Sequence, residues 1–166
     1  MAFAIGATPA VGPVPLIVAQ SVYGIGLSVN ALAPLGSATA YGAAFAAAGT
    51  ALEVSQEALV ELRLPTVAAG VCLEINSVRA PLVFVSDSQV SFQTPLVAPA
   101  RNLILQILRD CDTPNETRSA PAEVEVRTAS PELQTSAGGS APPVVAVDSG
   151  TGARLGPSTL GEEYSV

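Results

Sequence analysis

At 166 residues, 49% of them apolar and only 13% charged, the chain has material for one ordinary buried core plus extensions, and little charge to spread over its surface. Its basic residues are seven arginines against fourteen acids, a net charge of -7 that repels a phosphate backbone, so nucleic acid is excluded as an expected partner. With no histidine and no lysine, a serine or cysteine nucleophile lacks its usual base, and neither an enzyme nor a cofactor is expected.

From Met1 to Leu52 there is no charged residue. The opening "MAFAIGATPAVGPVPLIVAQS" lacks the basic start of a signal peptide, and Pro9, Pro13 and Pro15 break its apolar run. Prolines and glycines interrupt every stretch that approaches the ~20 apolar residues of a membrane span, so none is expected. Disordered segments are polar and charged, so this uncharged tract should bury against something. Val14, Leu16 and Val18, then Val22, Ile25 and Leu27, read as one or two strands with glycine breaks. Two readings stand: an edge strand of the chain's own domain, or an arm that packs onto another copy through those six residues.

Residues 37 to 46 follow as a strand, since Tyr41, Gly42 and Phe45 argue against the helix that the alanines would suit. A short helix is expected around Ser55 to Ala58. Val71, Leu73 and Ile75 alternate with Cys72, Glu74 and Asn76; Leu82 to Val85 follow Pro81; Val90 and Phe92 alternate with Ser91 and Gln93. These are strands separated by "NSVRA" and "SDSQ" turns, with Phe84, Val85, Val90 and Phe92 expected in the core. "NLILQIL" (102 to 108) is apolar on both faces, as a strand between layers would be, and "AEVEVRT" alternates with Val124 and Val126 inward. Short strands at this spacing predict an all-β sandwich. "TSAGGSAPP" has linker composition, and "VVAVDSGTGARLG" reads as a strand followed by a glycine turn.

Cys72 and Cys111 have neither a CxxC spacing nor a histidine to complete a zinc set. A disulfide that places the protein in an oxidising compartment is the favoured reading, with free buried thiols as the alternative.

The stretch "PLVFVSDSQVSFQTP" resembles the signature of the Solibacter-type C-terminal domain family, which reads PL-F-V-S, two residues, Q, two residues, F-Q-x-P. "APLGSATAYGAAFA" (33 to 46) is similar to that family's opening strand with Leu35 inserted. "LRLPTVAAGVCLEINSV" is similar to its next segment, and "RDCDTPNETRSAPAEVEVRTASPEL" to a cysteine-bearing subgroup. The resemblance covers about 33 to 133. It implies a non-enzymatic immunoglobulin-like sandwich of the IPT/TIG style, found in secreted or surface proteins of bacteria. Residues 1 to 32 would then be an apolar arm or strand, and 134 to 166 a linker and strand tail. Where the family often has Asn-Gly at its turn, this chain has Asn76-Ser77, which implies a wider turn.

Several constellations imitate sites. "VVAVDSGT" presents Asp148 as an aspartic protease would, but that chemistry needs a second carboxylate sharing the proton, and a glycine-permitted turn explains the motif. Glu74, Asp87, Glu123 and Glu125 could pair for glycoside hydrolysis, yet on alternating strands they form a solvated face. Asp87, Asp110 and Asp112 offer calcium ligands at loose spacing and read as turn residues, so no metal is expected. The function that remains is an extracellular or cell-surface structural subunit that self-assembles into a filament by strand donation. The alternatives are an adhesion module for polysaccharide or a cell surface that uses its loop ends, and a passive spacer.

Overall fold

The computed structural model describes residues 12–24, 29–59 and 61–129, with a strand pair at 146–147 and 154–155. The chain is all-β. Its strands are β1 (Leu16–Gly24), β2 (Ala31–Leu32), β3 (Ser37–Ala43), β4 (Ala51–Glu53), β5 (Val71–Ile75), β6 (Val78–Arg79), β7 (Leu82–Ser86), β8 (Gln89–Gln93), β9 (Ala100–Arg109), β10 (Thr117–Arg118), β11 (Ala122–Val126), β12 (Ala146–Val147) and β13 (Arg154–Leu155). A 3₁₀ turn, Gln56–Ala58, stands where the short helix is expected.

The first sheet runs β1-β3-β8-β7-β4, the second β2-β11-β9-β5-β6, and β10 adds to β9. Lettered in chain order, β1-β3-β8-β7 and β5-β9-β11 follow the ABED and CFG orders of an immunoglobulin-type domain. β12 and β13 form an antiparallel pair, Ala146 opposite Leu155, within a separate compact unit, Pro131–Val166. The linker residues and Asp148 lie outside the described residues.

One apolar cluster draws on both sheets. Val22, Ala40, Leu82, Val85, Val90 and Phe92 enter it from the first, and Leu73, Ile75, Leu105, Ile107, Val124 and Val126 from the second. Phe45, in the loop after β3, is fully buried beside them. Each such side chain contributes roughly 1.5–3 kcal/mol through the apolar area it removes from water. The apolar run of β9 divides as a two-sided strand should, with Leu103, Leu105 and Ile107 in this core and Ile104, Gln106 and Leu108 on the opposite face.

Two irregularities change which side chains point inward. In β7, Leu82 faces Phe92 and Phe84 faces Ser91, so Val83 is an extra residue that resets the alternation. Leu82 and Val85 stay buried while Phe84 turns to the outer face, half-buried, which corrects its expected place in the core. In β1, Ile17 faces Gly42 and Val22 faces Ala40, leaving Val18 to Ser21 opposite Tyr41 alone. Gln20 takes a left-handed conformation (φ 57°), and the Ser21 hydroxyl lies 2.6 Å from the Val18 carbonyl and 2.7 Å from that of Tyr41, so the arch is held by one shared proton. Gly42 is required here, because a Cβ would collide with the Leu16 carbonyl and the Phe45 ring.

The Asn76-Ser77 turn is not wider. Both residues are left-handed (φ 49° and 64°), giving a two-residue hairpin between β5 and β6. Asn76 substitutes for the more usual Asn-Gly partner by exchanging two bonds with Ile104: its N–H donates to the Ile104 carbonyl and its Oδ1 accepts from the Ile104 N–H, each at 2.8 Å.

Equilibrium unfolding should separate the two phenylalanines of the hairpin. Phe92→Ala is expected to cost about 3–5 kcal/mol and Phe84→Ala less than half of that. Equal losses would contradict the reset at Val83.

Candidate functional site

The short β2 covers only the end of β11. Ala31 and Leu32 pair in parallel with Glu125 and Val126, whereas Ala122, Glu123 and Val124 are paired on the β9 side alone. The Glu125 and Arg127 N–H groups donate to the Asn30 and Leu32 carbonyls at 2.7 and 2.8 Å. Backbone polarity alternates along a strand, so the N–H and C=O of Glu123 point the same way, to a side that no strand covers among the described residues. Facing them is the arch of β1.

Between the arch and β11 lies a groove of about 300 Å³, lined by Ile17 to Gln20, Val22, Asn30, Pro121, Ala122 and Glu123. Glu123 is its one charged lining residue. A second hollow of about 370 Å³, lined by Val29, Asn30, Arg101, Asn102 and Glu123 to Glu125, shares Asn30 and Glu123 with it. Together they follow the seam between the two sheets. An uncovered strand edge beside an apolar furrow offers backbone hydrogen bonds and side-chain contacts to an extended peptide.

The six residues expected on an assembly arm are divided. Val14, Leu16 and Val18 are more than half exposed, at 61%, 57% and 53%. Val22 is buried in the chain's own core, and β1 pairs with β3 of the same chain. Ile25 and Leu27 lie outside the described residues. Of the two readings of this stretch, the edge strand describes Leu16–Gly24, because withdrawing it would empty the Val22 position and expose the edge of β3. The furrow itself was not legible, since it depends on how far β2 reaches along β11.

On the outer side of the second sheet, Cys72 and Cys111 form a disulfide with a Cα–Cα distance of 5.9 Å and 39 residues of separation. Cys72 lies on β5, Cys111 just past β9, and Leu108 covers them in a small apolar cluster of their own. Beside it the buried Glu74 receives Arg79 Nε at 2.7 Å and Arg118 Nη1 at 3.2 Å. Arg79 reaches on to Asp112 at 3.1 Å and also contacts the Cys111 sulfur; Arg118 reaches Glu116 at 2.9 Å. The Asp112 N–H donates to Glu116 at 3.0 Å. That bond and Arg118 hold the Glu116 carboxyl below its ordinary pKa, and Glu116 in turn raises that of Arg118. Each of the three acids in this cluster is thus within reach of an arginine.

Among the described residues, the one group with metal-ligand proximity is Cys72, Cys111 and Asp112, whose two sulfurs are bonded to each other and so offer no thiolate. Asp87 sits in the turn between β7 and β8, and Asp110 and Asp112 in the loop after β9, where Asp110 pairs with Arg109 and Asp112 with Arg79. Glu123 and Glu125 lie on β11, Glu125 paired with Arg101 and Arg127. No helix among the described residues is long and apolar enough to cross a membrane. No protein-family model matches the chain, and no curated protein matches it.

Two stability measurements follow. Reducing the disulfide should lower stability by about 4 kcal/mol through the entropy returned to the unfolded chain, and an unchanged midpoint would contradict that. A carboxylate with a depressed folded-state pKa stabilises above its unfolded value, here ordinarily 4.5, and that contribution is lost as pH falls through the folded pKa. Urea unfolding from pH 7 to pH 3 should accordingly show a shallower acid loss in Glu116→Gln than in the parent; parallel curves would sink the assignment.

Proposed function

We propose that this chain is a non-enzymatic extracellular structural subunit, and that copies join by donating a strand into the seam between β1 and β11. The observation that carries the reading is the uncovered edge of Glu123 beside the furrow. The donor is the uncharged stretch before Gly12, "MAFAIGATPAV", of a second copy. It supplies the apolar side chains that the furrow takes and no charge to desolvate in it. Ten extended residues reach about 33 Å, more than enough to lie along β11. Donation from each copy into the next is heterologous, so it does not close on itself and builds a filament. The disulfide fits an oxidising, exported setting. Val14, Leu16 and Val18 follow the donor in sequence with exposed side chains, and Val18 lines the furrow that accepts the strand.

Glu123→Pro tests this without touching the core. It removes the one N–H that an incoming strand needs, at an edge where proline is tolerated. Electron microscopy should show filaments from the full chain, none from Glu123→Pro and none after deletion of residues 1 to 11, with the melting temperature of the domain held within a few degrees. A synthetic peptide of residues 1 to 11 should stop growth of parental filaments. Filaments that persist in both variants, or a full chain that stays monomeric at high concentration, would rule out donation at this seam.

A further inference from the structure

The two outer faces of the domain differ in chemistry. Glu74, Arg79, Arg118, Glu123 and Glu125 belong to the second sheet, whereas Glu53, at the far edge, is the only charged residue in the five strands of the first. Glu53 stands directly opposite Phe84 and shares its face, and the remaining outer positions of this sheet are uncharged, most of them polar or aromatic.

Register places a row across this face. Tyr23 is opposite Thr39, Thr39 opposite Ser91, and Ser91 opposite Phe84. Three strand steps of about 4.8 Å put Tyr23 and Phe84 roughly 14 Å apart, with two hydroxyl side chains between them. Tyr41 stands next to Tyr23, ring centroids 6.0 Å apart and planes inclined at 66°. It is 43% exposed, and the others are half-buried. The hydroxyls are already organised: Thr39 Oγ1 and Ser91 Oγ are 2.9 Å apart, and Gln89 Nε2 donates to Ser91 Oγ at 3.1 Å.

We propose that this face binds a neutral polysaccharide chain, with Tyr23, Tyr41 and Phe84 stacking on sugar rings and Thr39, Gln89 and Ser91 bonding to sugar hydroxyls. A pyranose offers both C–H faces for aromatic rings and hydroxyls for the polar groups between them, and a neutral one avoids the repulsion that Glu53, opposite Phe84, would exert on an anionic chain. A wholly apolar partner would bury those hydroxyls and amides without giving them new bonds. The inclined tyrosine pair provides no flat double platform, so the ligand is a single glycan chain rather than a crystalline surface. The site lies on strands and not on the loop ends where adhesion was expected, because the reset at Val83 delivers Phe84 to the outside.

Titration calorimetry of the full chain with hydroxyethylcellulose, xylan and laminarin, and with anionic alginate as control, tests the proposal. Binding to at least one neutral glycan is expected, weakened about tenfold by Tyr41→Ala and by Phe84→Ala and unchanged by Arg101→Ala on the other sheet. Tyr41 is exposed, so its variant keeps the fold whatever Phe84→Ala does, and thermal melting checks both. No heat with any neutral glycan, affinity for alginate alone, or affinity indifferent to Tyr41→Ala and Phe84→Ala would overturn it. So would self-association without glycan that Tyr41→Ala abolishes, since that would assign the face to a second copy.

Discussion

Side-chain alternation over a shared core is the constraint on which the rest of this structure depends. A strand that feeds one face into the core must send its other residues out, and a single extra residue reverses the assignment of everything beyond it. Val83 does this in β7, keeping Leu82 and Val85 inside and expelling Phe84. The arch from Val18 to Ser21 does it in β1, so that Val22 packs in the core while the arch lines the furrow beside β11. The place of Phe84 in the aromatic row results from the first departure, and the arch wall of the furrow from the second. In each case the backbone is secured locally, by the Ser21 hydroxyl in β1 and by the paired register of β8 beside β7.

Charge is then segregated by sheet. Glu74 is buried on the second sheet, and isolating a carboxylate there would be costly unless it were paired. Arg79 and Arg118 meet it, and Asp112 and Glu116 extend the pairing into the loop that Cys111 anchors. The disulfide and the ion cluster restrain one loop from two sides. Among the described residues the first sheet has no comparable network, and Glu53 is the one charged residue in its strands.

The alternation of Val71 to Ile75, of Val90 to Phe92 and of Val124 to Val126 made the main strands and their inward residues legible in the sequence, because period-two burial is local. Pairing of Cys72 with Cys111 was also legible, from the absence of any other chemistry for them. Phe84 was misplaced because nothing in "LVFVS" distinguishes a regular strand from a bulged one; the reset is imposed by its partner β8. The reach of β2 along β11 is a long-range fact, and with it the seam. An uncharged first strand marked the edge of the domain, but only the register of Val22 against Ala40 shows that Leu16 to Gly24 belongs to its own sheet. The tight Asn76-Ser77 turn depends on Ile104, distant in sequence, and so was read as wider.

The central claim, that copies join through the seam, is most directly tested by hydrogen exchange read by mass spectrometry on monomer and filament of the same chain. The account predicts slowed exchange on assembly in peptides covering Pro121 to Val124 and residues 1 to 11, with β4 and β6, the far edges of the two sheets, unchanged. Protection that appears at β4 or β6 while Pro121 to Val124 exchanges as fast as in the monomer would contradict it.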